Sequence, residues 1–180
     1  LKELDYLTKN AENKIAVREW WNGYSCVLDL TNPKANKWFV DKLQACLDKY
    51  NADGFKFDAG DYYFYRDDDK TYENLTDNEM TSVYNDLGEI FSYHEYRTAW
   101  NLRGRSILCR MQDKEHTWGD KGIKDIIPNT IVQGFIGCLY SCPDMVGGGA
   151  LSSASGKYDT ELYIRWAEAN TYCSMMQFSI

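Results

Sequence analysis

The sequence predicts an α/β protein, because short apolar runs alternate with longer segments of helical periodicity along its 180 residues. The loops after these runs are long and rich in acidic and aromatic residues. The early run at residues 27–33 has no glycine-rich turn of the kind that binds phosphate in a doubly wound sheet. Of the two architectures that fit, we therefore favour part of an eight-stranded (β/α)8 TIM barrel, whose catalytic face carries such loops.

Five apolar runs are the predicted strands, and the segments between them suit right-handed crossovers. They lie at residues 25–30, 52–59, 105–111, 136–142 and 175–180. Five strands cannot close a barrel of eight, so the remaining strands have to come from outside this chain. We expect residues 1–180 to form part of one barrel domain, with a polar loop insertion at residues 60–82.

The first predicted helix begins at Asn32, a good N-cap residue, with Pro33 in its first turn. Its apolar residues repeat at helical spacing, at positions 39, 40, 43, 46, 47 and 50. Residues 78–100 predict a second helix, or a helix followed by an extended segment.

Two further helices are predicted in the second half of the chain. Residues 123–135 have helical character, and Pro128 either begins a second segment there or kinks the helix. Asp159 or Thr160 caps a last helix that reaches about residue 172, with an apolar stripe that includes Leu162 and Trp166.

The composition excludes several functional classes. A net charge of −7 without a basic stripe argues against nucleic-acid binding, which requires clustered lysine and arginine. The six cysteines form no C-x-x-C pair and there are only two histidines, so we expect no zinc site and no cofactor. The triplet Asn74-Leu75-Thr76 fits a glycosylation acceptor and favours a secretory-pathway or extracellular location over the cytoplasm.

The strongest chemical signal is the segment Gly54-Phe55-Lys56-Phe57-Asp58. Side chains alternate along a strand, so the two phenylalanines share one face and Lys56 and Asp58 share the other. In a barrel the phenylalanines would pack on helices, while Lys56 and Asp58 would point to the substrate at the carboxyl end. Asp58 is equally compatible with a structural ion pair or a helix cap.

A glycosidase needs a second carboxyl group, which protonates the departing oxygen. The loop after the next predicted strand offers Asp113, Glu115 and Asp120. Asp120 closely follows Trp118, and an aromatic wall would raise its pKa and keep it protonated near neutral pH. The same residue fits the N-cap of the next helix, and local spacing does not choose between the two roles.

Several motifs together resemble the catalytic barrel of glycoside hydrolase family 31. In chain order they are LDLTNPKANKWF, DGFKFDAGD, WGDKG with the later IIP, CPDMVGGG and ELYIRWAEANTYCSMMQFSI. The resemblance covers essentially the whole chain and implies a TIM-barrel region from about strand 3 to strand 7, within a larger multidomain glycosidase. The KFDAGD, PDMVGG and QFSI forms most resemble the α-galactosidase-like branch.

The resemblance implies a retaining, exo-acting α-glycosidase that acts on an oligosaccharide or glycoside. Asp58 matches the family's nucleophile and Asp120 its acid/base, while Asp113 is the rival for the second role. The implied substrate-binding residues, which match sugar-contacting positions of the family, are Lys56, Asp61, Arg110, Trp118 and Asp144.

The departures from the common pattern concern sugar specificity. Asp61 replaces a frequent glutamate, no histidine precedes Asp144, and MQDKEH stands where starch-type members have a QRYP-like segment. Two other classes stay open: a family member that binds sugar without catalysis, and an aldolase-type barrel that forms a Schiff base on Lys56. No metal is expected, and the rest of the same polypeptide is the expected structural partner.

Overall fold

The computed structural model describes residues 1–102, 104–149 and 158–178. The chain divides into two compact units. The first contains residues 1–55, 59–93 and 98–100, and the second contains residues 56–58, 94–97 and 101–180.

The first unit combines an antiparallel hairpin with helices. Strand β1 (Val17–Trp20) pairs with β2 (Gly23–Cys26), and helix α1 (Pro33–Tyr50) follows. After it come a 3-10 helix (Tyr62–Phe64), helix α2 (Asp77–Asn85) and the single turn α3 (Leu87–Ile90). The 3-10 helix and the start of α2 therefore lie within the predicted loop insertion at residues 60–82.

Helix α1 begins as the sequence predicts. The side chain of Asn32 accepts a hydrogen bond from the backbone N–H of Lys34 at 3.0 Å, and Pro33 is the first helical residue. The helix ends at Asn51, whose φ of 49° is left-handed and breaks the helical backbone.

The predicted strand at residues 25–30 is wrong in its extent and its pairing. Only Ser25 and Cys26 are strand residues, and they pair with β1, while Leu28 forms an isolated antiparallel bridge with Leu7. Gly23, the first residue of β2, has φ 92°, which lets the chain reverse after β1 so that this apolar run finds a local partner.

The predicted helix at residues 78–100 divides into three elements. Helix α2 begins with a capping box between Thr76 and Glu79, and after α3 the chain becomes strand β4 (His94–Tyr96). Helical periodicity ends there because Glu95 and Tyr96 are both buried. The extension after a helix is confirmed, whereas a helix through residue 100 is wrong.

The second unit is built on a sheet in the order β3-β4-β5-β6. The added strands are β3 (Phe55–Phe57, of which Lys56 and Phe57 belong to this unit), β5 (Leu108–Arg110) and β6 (Tyr140–Cys142). Strands β4, β5 and β6 run parallel, with Tyr96 opposite Cys109 and Arg110 opposite Cys142. The expected α/β class is therefore confirmed, with β4 as the strand that the periodicity did not identify.

Two helices of the second unit share one apolar core. A 3-10 turn (Ile123–Asp125) leads into α4 (Ile126–Phe135), and α5 (Thr160–Asn170) begins where Asp159 accepts from the N–H of Leu162 at 3.1 Å. Pro128 lies in the first turn of α4, where a proline is tolerated. The predicted stripe of α5 buries Leu162 and Trp166 against Ile126 and Val146.

The last predicted strand is present only as a bridge between Gln177 and Met145, and residues 179–180 of that run lie outside the described residues. No helix in the described part of the chain has the length and apolar character needed to cross a membrane.

Candidate active site

The end of β3 presents two charged side chains to one polar network. Phe57 is buried and stacks on Tyr96 at 4.8 Å between ring centroids. Lys56 and Asp58 remain 48% and 44% exposed at their side chains. The alternation expected for this strand therefore separates an apolar packing face from a charged face in the second unit.

Arg110, the last residue of β5, connects the acidic groups of the network. Its guanidinium is only 3% exposed, and its Nη2 donates to Asp58 Oδ1 at 3.0 Å. Its Nη1 donates to Asp113 Oδ1 at 3.3 Å and lies 3.6 Å from Asp144 Oδ1. A guanidinium can serve several carboxylates because its five N–H groups point outward in one plane.

Glu95 of β4 is a member of this network that the sequence analysis missed. Its side chain is 3% exposed, and its Oε1 lies 2.9 Å from both Arg110 Nε and Lys56 Nζ. Gln177 donates to the other carboxylate oxygen. The sequence does contain a signal for this residue, because Glu95 lies between a histidine and a tyrosine in a triplet that could form a strand. The prediction of a helix over residues 78–100 left that possibility unused.

Asp58 has a second cationic neighbour, which the sequence analysis also missed. Arg97 directly follows β4, and its Nη1 lies 3.4 Å from Asp58 Oδ1. The two arginines, 97 and 110, therefore flank one carboxylate and restrict its position.

Asp144 follows β6 and is fully buried. Its backbone adopts φ 73°, a left-handed conformation that turns the chain at the strand end. Burial raises the pKa of the Asp144 carboxyl above its usual range, and the nearby Arg110 charge opposes that increase. A buried carboxyl with spare acceptor capacity is a suitable group for binding a sugar hydroxyl.

A cleft of about 440 Å³ opens beside Arg110 and Asp113. It continues along the loop after β5 to Lys114 and Glu115 and reaches Gln133 on α4. Burial lowers the pKa of the Lys114 amine, and this effect exceeds the opposing influence of nearby aspartates. The volume falls in the range of small-molecule sites, about 300–1,000 Å³.

Asp120 and Trp118 have different surroundings from those expected. Asp120 is 79% exposed at its side chain and forms an ion pair with Lys124 at 2.8 Å. The Lys124 ammonium lowers the pKa of the Asp120 carboxyl, so the expected elevation by an aromatic wall is wrong. Trp118 is half-exposed and its indole Nε1 donates to Asp159 at 2.9 Å, which is the contact that orients this ring.

Asp61 belongs to the first unit, where it precedes the 3-10 helix and its carbonyl accepts from the N–H of Phe64. The neighbouring Gly60 has φ 77°, and a Cβ at this position would lie 2.1 Å from the ring of Tyr84. The glycine is therefore required by a close approach within the first unit.

The network concentrates acidic groups without forming a metal centre. Among the described residues, no group of three or more histidine, cysteine, aspartate or glutamate side chains has an arrangement that could hold a metal ion. Arginine and lysine side chains instead lie between the acids, which favours binding of a neutral, hydroxyl-rich ligand.

The comparisons with known proteins place the fold. The model of the glycosyl hydrolases family 31 TIM-barrel domain matches residues 1–179. The chain belongs to glycosyl hydrolase family 31. The network of Asp58, Arg110 and Asp144 is thus at the carboxyl ends of strands of a family 31 barrel, where such barrels carry their catalytic groups.

The family 31 chain is 36% identical over 174 residues to the myogenesis-regulating glycosidase of Mus musculus, covering 92% of this chain and 24% of that protein. It is 22% identical to the sulfoquinovosidase of Escherichia coli K12, covering 96% of this chain and 27% of that protein. The chain therefore spans about a quarter of the length of these relatives.

Solved structures show the same fold. The cycloalternan-degrading enzyme of Trueperella pyogenes aligns with a TM-score of 0.81 at 20% identity, over 99% of this chain and 26% of that chain. A family 31 sulfoquinovosidase of E. rectale aligns with a TM-score of 0.75 at 21% identity, over 98% of this chain and 28% of that chain. The prediction of a partial TIM barrel is confirmed.

Proposed function

We propose that this chain carries the nucleophile and the sugar-binding groups of a retaining, exo-acting α-glycosidase. The observation that carries the proposal is Asp58, at the end of β3, held between Arg110 at 3.0 Å and Arg97 at 3.4 Å. A nucleophilic carboxylate has to be aimed at the anomeric carbon, and contacts to two guanidinium groups restrict its position.

The proposed reaction has two displacements. A carboxylate oxygen of Asp58 attacks the anomeric carbon from the β face, and the bond from that carbon to the leaving oxygen breaks. An acid/base carboxyl protonates the leaving oxygen, and a β-glycosyl ester of Asp58 forms. The acid/base carboxylate then removes a proton from water, which attacks the same carbon and releases the α-anomer and free Asp58.

The acid/base role has two candidates, and the contacts support Asp113 over Asp120. Asp58 and Asp113 bind the two terminal nitrogens of Arg110, so their nearest oxygens lie within about 9 Å of each other, and a retaining mechanism requires a separation of about 5–5.5 Å. Asp113 also lines the cleft beside this pair. Asp120 pairs with Lys124, and its lowered pKa is unfavourable for an acid near neutral pH.

The substrate that we propose ends in an α-linked sugar of the galactose, glucose or xylose type. Lys56 and Asp144 offer a donor and an acceptor to sugar hydroxyls, and half-exposed Trp118 offers a ring face. The cleft beside Asp113 has room for the leaving group. The isomaltosyltransferase of Sporosarcina globispora is 28% identical to this chain, so a sugar hydroxyl in place of water is a second acceptor to test.

The aldolase-type alternative is disfavoured by the surroundings of Lys56. Its amine lies 2.9 Å from the buried carboxylate of Glu95 and 3.3 Å from Gln177 Oε1. A Schiff-base lysine needs its amine free to attack a carbonyl, whereas the Lys56 amine is held by these two contacts.

The test uses the full-length protein with p-nitrophenyl α-galactoside, α-glucoside and α-xyloside. We expect turnover of at least one substrate and a loss of more than about 10³-fold in Asp58→Ala. Absence of turnover in the wild-type protein, with sugar binding retained, would instead indicate a binding-only family member.

A second measurement assigns the acid/base. In Asp113→Ala we expect glycosides with poor leaving groups to lose about 10²–10⁴-fold, while α-glycosyl fluorides, which need no protonation, keep a fast first step. Azide needs no base and should restore turnover by forming the α-glycosyl azide. Asp120→Ala is the matched variant, and azide rescue of Asp120→Ala in place of Asp113→Ala would refute our choice.

We also propose a secretory-pathway or extracellular location. Asn74 is exposed, with φ 53° in the turn before α2, and Thr76 at the second position after it completes the acceptor triplet. An attached glycan requires an asparagine that is exposed at the surface, and Asn74 meets this requirement.

A further inference from the structure

We infer that Glu95 is a positioning residue, which sets the direction of the Arg110 guanidinium and thereby aims Asp58. This inference rests on the proposed function. Glu95 is not expected to touch substrate, because its carboxylate already lies against Lys56, Arg110 and Gln177. It therefore acts through other residues.

Glu95 contacts Arg110 at the base of its guanidinium. Glu95 Oε1 forms an ion pair at 2.9 Å with Nε, the nitrogen that joins the guanidinium to its aliphatic chain, without the alignment of a hydrogen bond. The guanidinium is planar, so a carboxylate beside Nε favours one set of directions for Nη1 and Nη2. Nη2 then points to Asp58 and Nη1 to Asp113 and Asp144.

Glu95 also contacts the strand that carries Asp58. Lys56 lies two residues before Asp58 on β3, and its Nζ is 2.9 Å from Glu95 Oε1. Gln177 closes this arrangement, since its Oε1 accepts from Lys56 Nζ at 3.3 Å and its Nε2 donates to Glu95. The buried carboxylate of Glu95 on β4 therefore contacts side chains from β3, from β5 and from the segment that contains Gln177.

Glu95 also contributes to the charge around Asp58. Arg97 and Arg110 both face Asp58 directly. Lys56 and Glu95 lie farther along β3 and β4, and two more acids, Asp113 and Asp144, share Arg110. Removal of the negative charge of Glu95 makes these surroundings more positive, which stabilises an ionised Asp58.

The test is Glu95→Gln in the full-length protein, assayed by kcat, KM and the pH dependence of kcat/KM. We expect kcat to fall about 10²-fold, because a small misplacement of the reacting group is enough for such a loss. The acid limb of the profile, which reports the nucleophile, should move by at least about 0.5 pH unit to lower pH. Glu95→Asp keeps the charge, so its kcat should fall while its acid limb stays in place.

Glu168→Gln is the matched control, because Glu168 also pairs with an arginine, Arg165, but on the exposed surface of α5. A purely structural role predicts that Glu95→Gln lowers thermal stability but leaves kcat per folded molecule and the acid limb unchanged, and that result would overturn the inference. If Glu95→Gln does not fold, Gln177→Leu is assayed the same way, and an unchanged kcat there has the same meaning. Failure of the proposed function is a different result, namely an inactive wild-type protein or a fully active Asp58→Ala.

Discussion

Arg110 provides the sharpest test of how this site is held together. We predict that Arg110→Met destabilises the barrel region by about 3–5 kcal/mol, the cost of breaking a buried ion pair by removing one partner. The reason is that Glu95 and Asp144, at 3% and 1% side-chain exposure, would be left in the interior without the guanidinium that they share. Asp58 and Asp113 contribute little to this figure because they are 44% and 63% exposed.

Arg165→Met is the matched control for this prediction. Arg165 also binds two carboxylates, those of Glu161 and Glu168, but all three side chains are more than half exposed. Its loss should cost far less, because exposed ion pairs contribute little to stability. Arg110→Lys should fall between the two, since one ammonium group cannot reach in three directions from a single plane.

The assay is denaturant-dependent hydrogen exchange of the β5 and β6 amides in the full-length protein, which reports the unfolding free energy of this region. Equal destabilisation by Arg110→Met and Arg165→Met would refute the reasoning. It would mean that water or protonation compensates the buried carboxylates when the guanidinium is removed, and that the guanidinium does not organise the site.

Three further predictions follow from other local features. The raised pKa of Asp144 means that the folded state holds the proton of this carboxyl more tightly than the unfolded state. Asp144 therefore destabilises the folded state increasingly as pH rises above about 4. In urea titrations, the unfolding free energy of wild type minus that of Asp144→Asn should decrease with rising pH. Gly60→Ala should destabilise by about 1–3 kcal/mol in the same titrations, because φ is 77° and its Cβ meets Tyr84, and Tyr84→Ala should relieve the steric part. Secreted protein should carry a glycan on Asn74, and treatment with an N-glycan-removing enzyme should lower its mass. The Thr76→Ala variant should lack this glycan. An unmodified Asn74 in secreted protein would contradict the location proposed above.

The sequence predicted local features well where neighbouring residues decide the structure. Asn32 and Asp159 form the helix caps expected of them, because capping uses backbone groups only two or three residues away. Alternation at the end of β3 separated Phe57 from Lys56 and Asp58 for an equally local reason.

The errors occur where the local composition fits more than one pairing or element. The run at residues 25–30 has the composition of a barrel strand, but its nearest pairing partner is β1. Strand β4 lay inside a predicted helix, since three residues show too few periods to distinguish the two patterns. Because that strand was not predicted, Glu95 was not identified as a member of the site.

The order of residue types along the chain is enough to predict the α/β class, the family and most of the acids available for catalysis. Which acids converge depends on contacts between strands that are far apart in the chain. Asp58, Glu95, Asp113 and Asp144 meet at Arg110 because neighbouring strands of the sheet bring them together, whereas Asp120, only seven positions after Asp113, pairs with Lys124. Spacing along the chain can indicate a local pair such as Asp120 with Lys124, but it does not indicate the charge that a distant strand brings to a carboxylate.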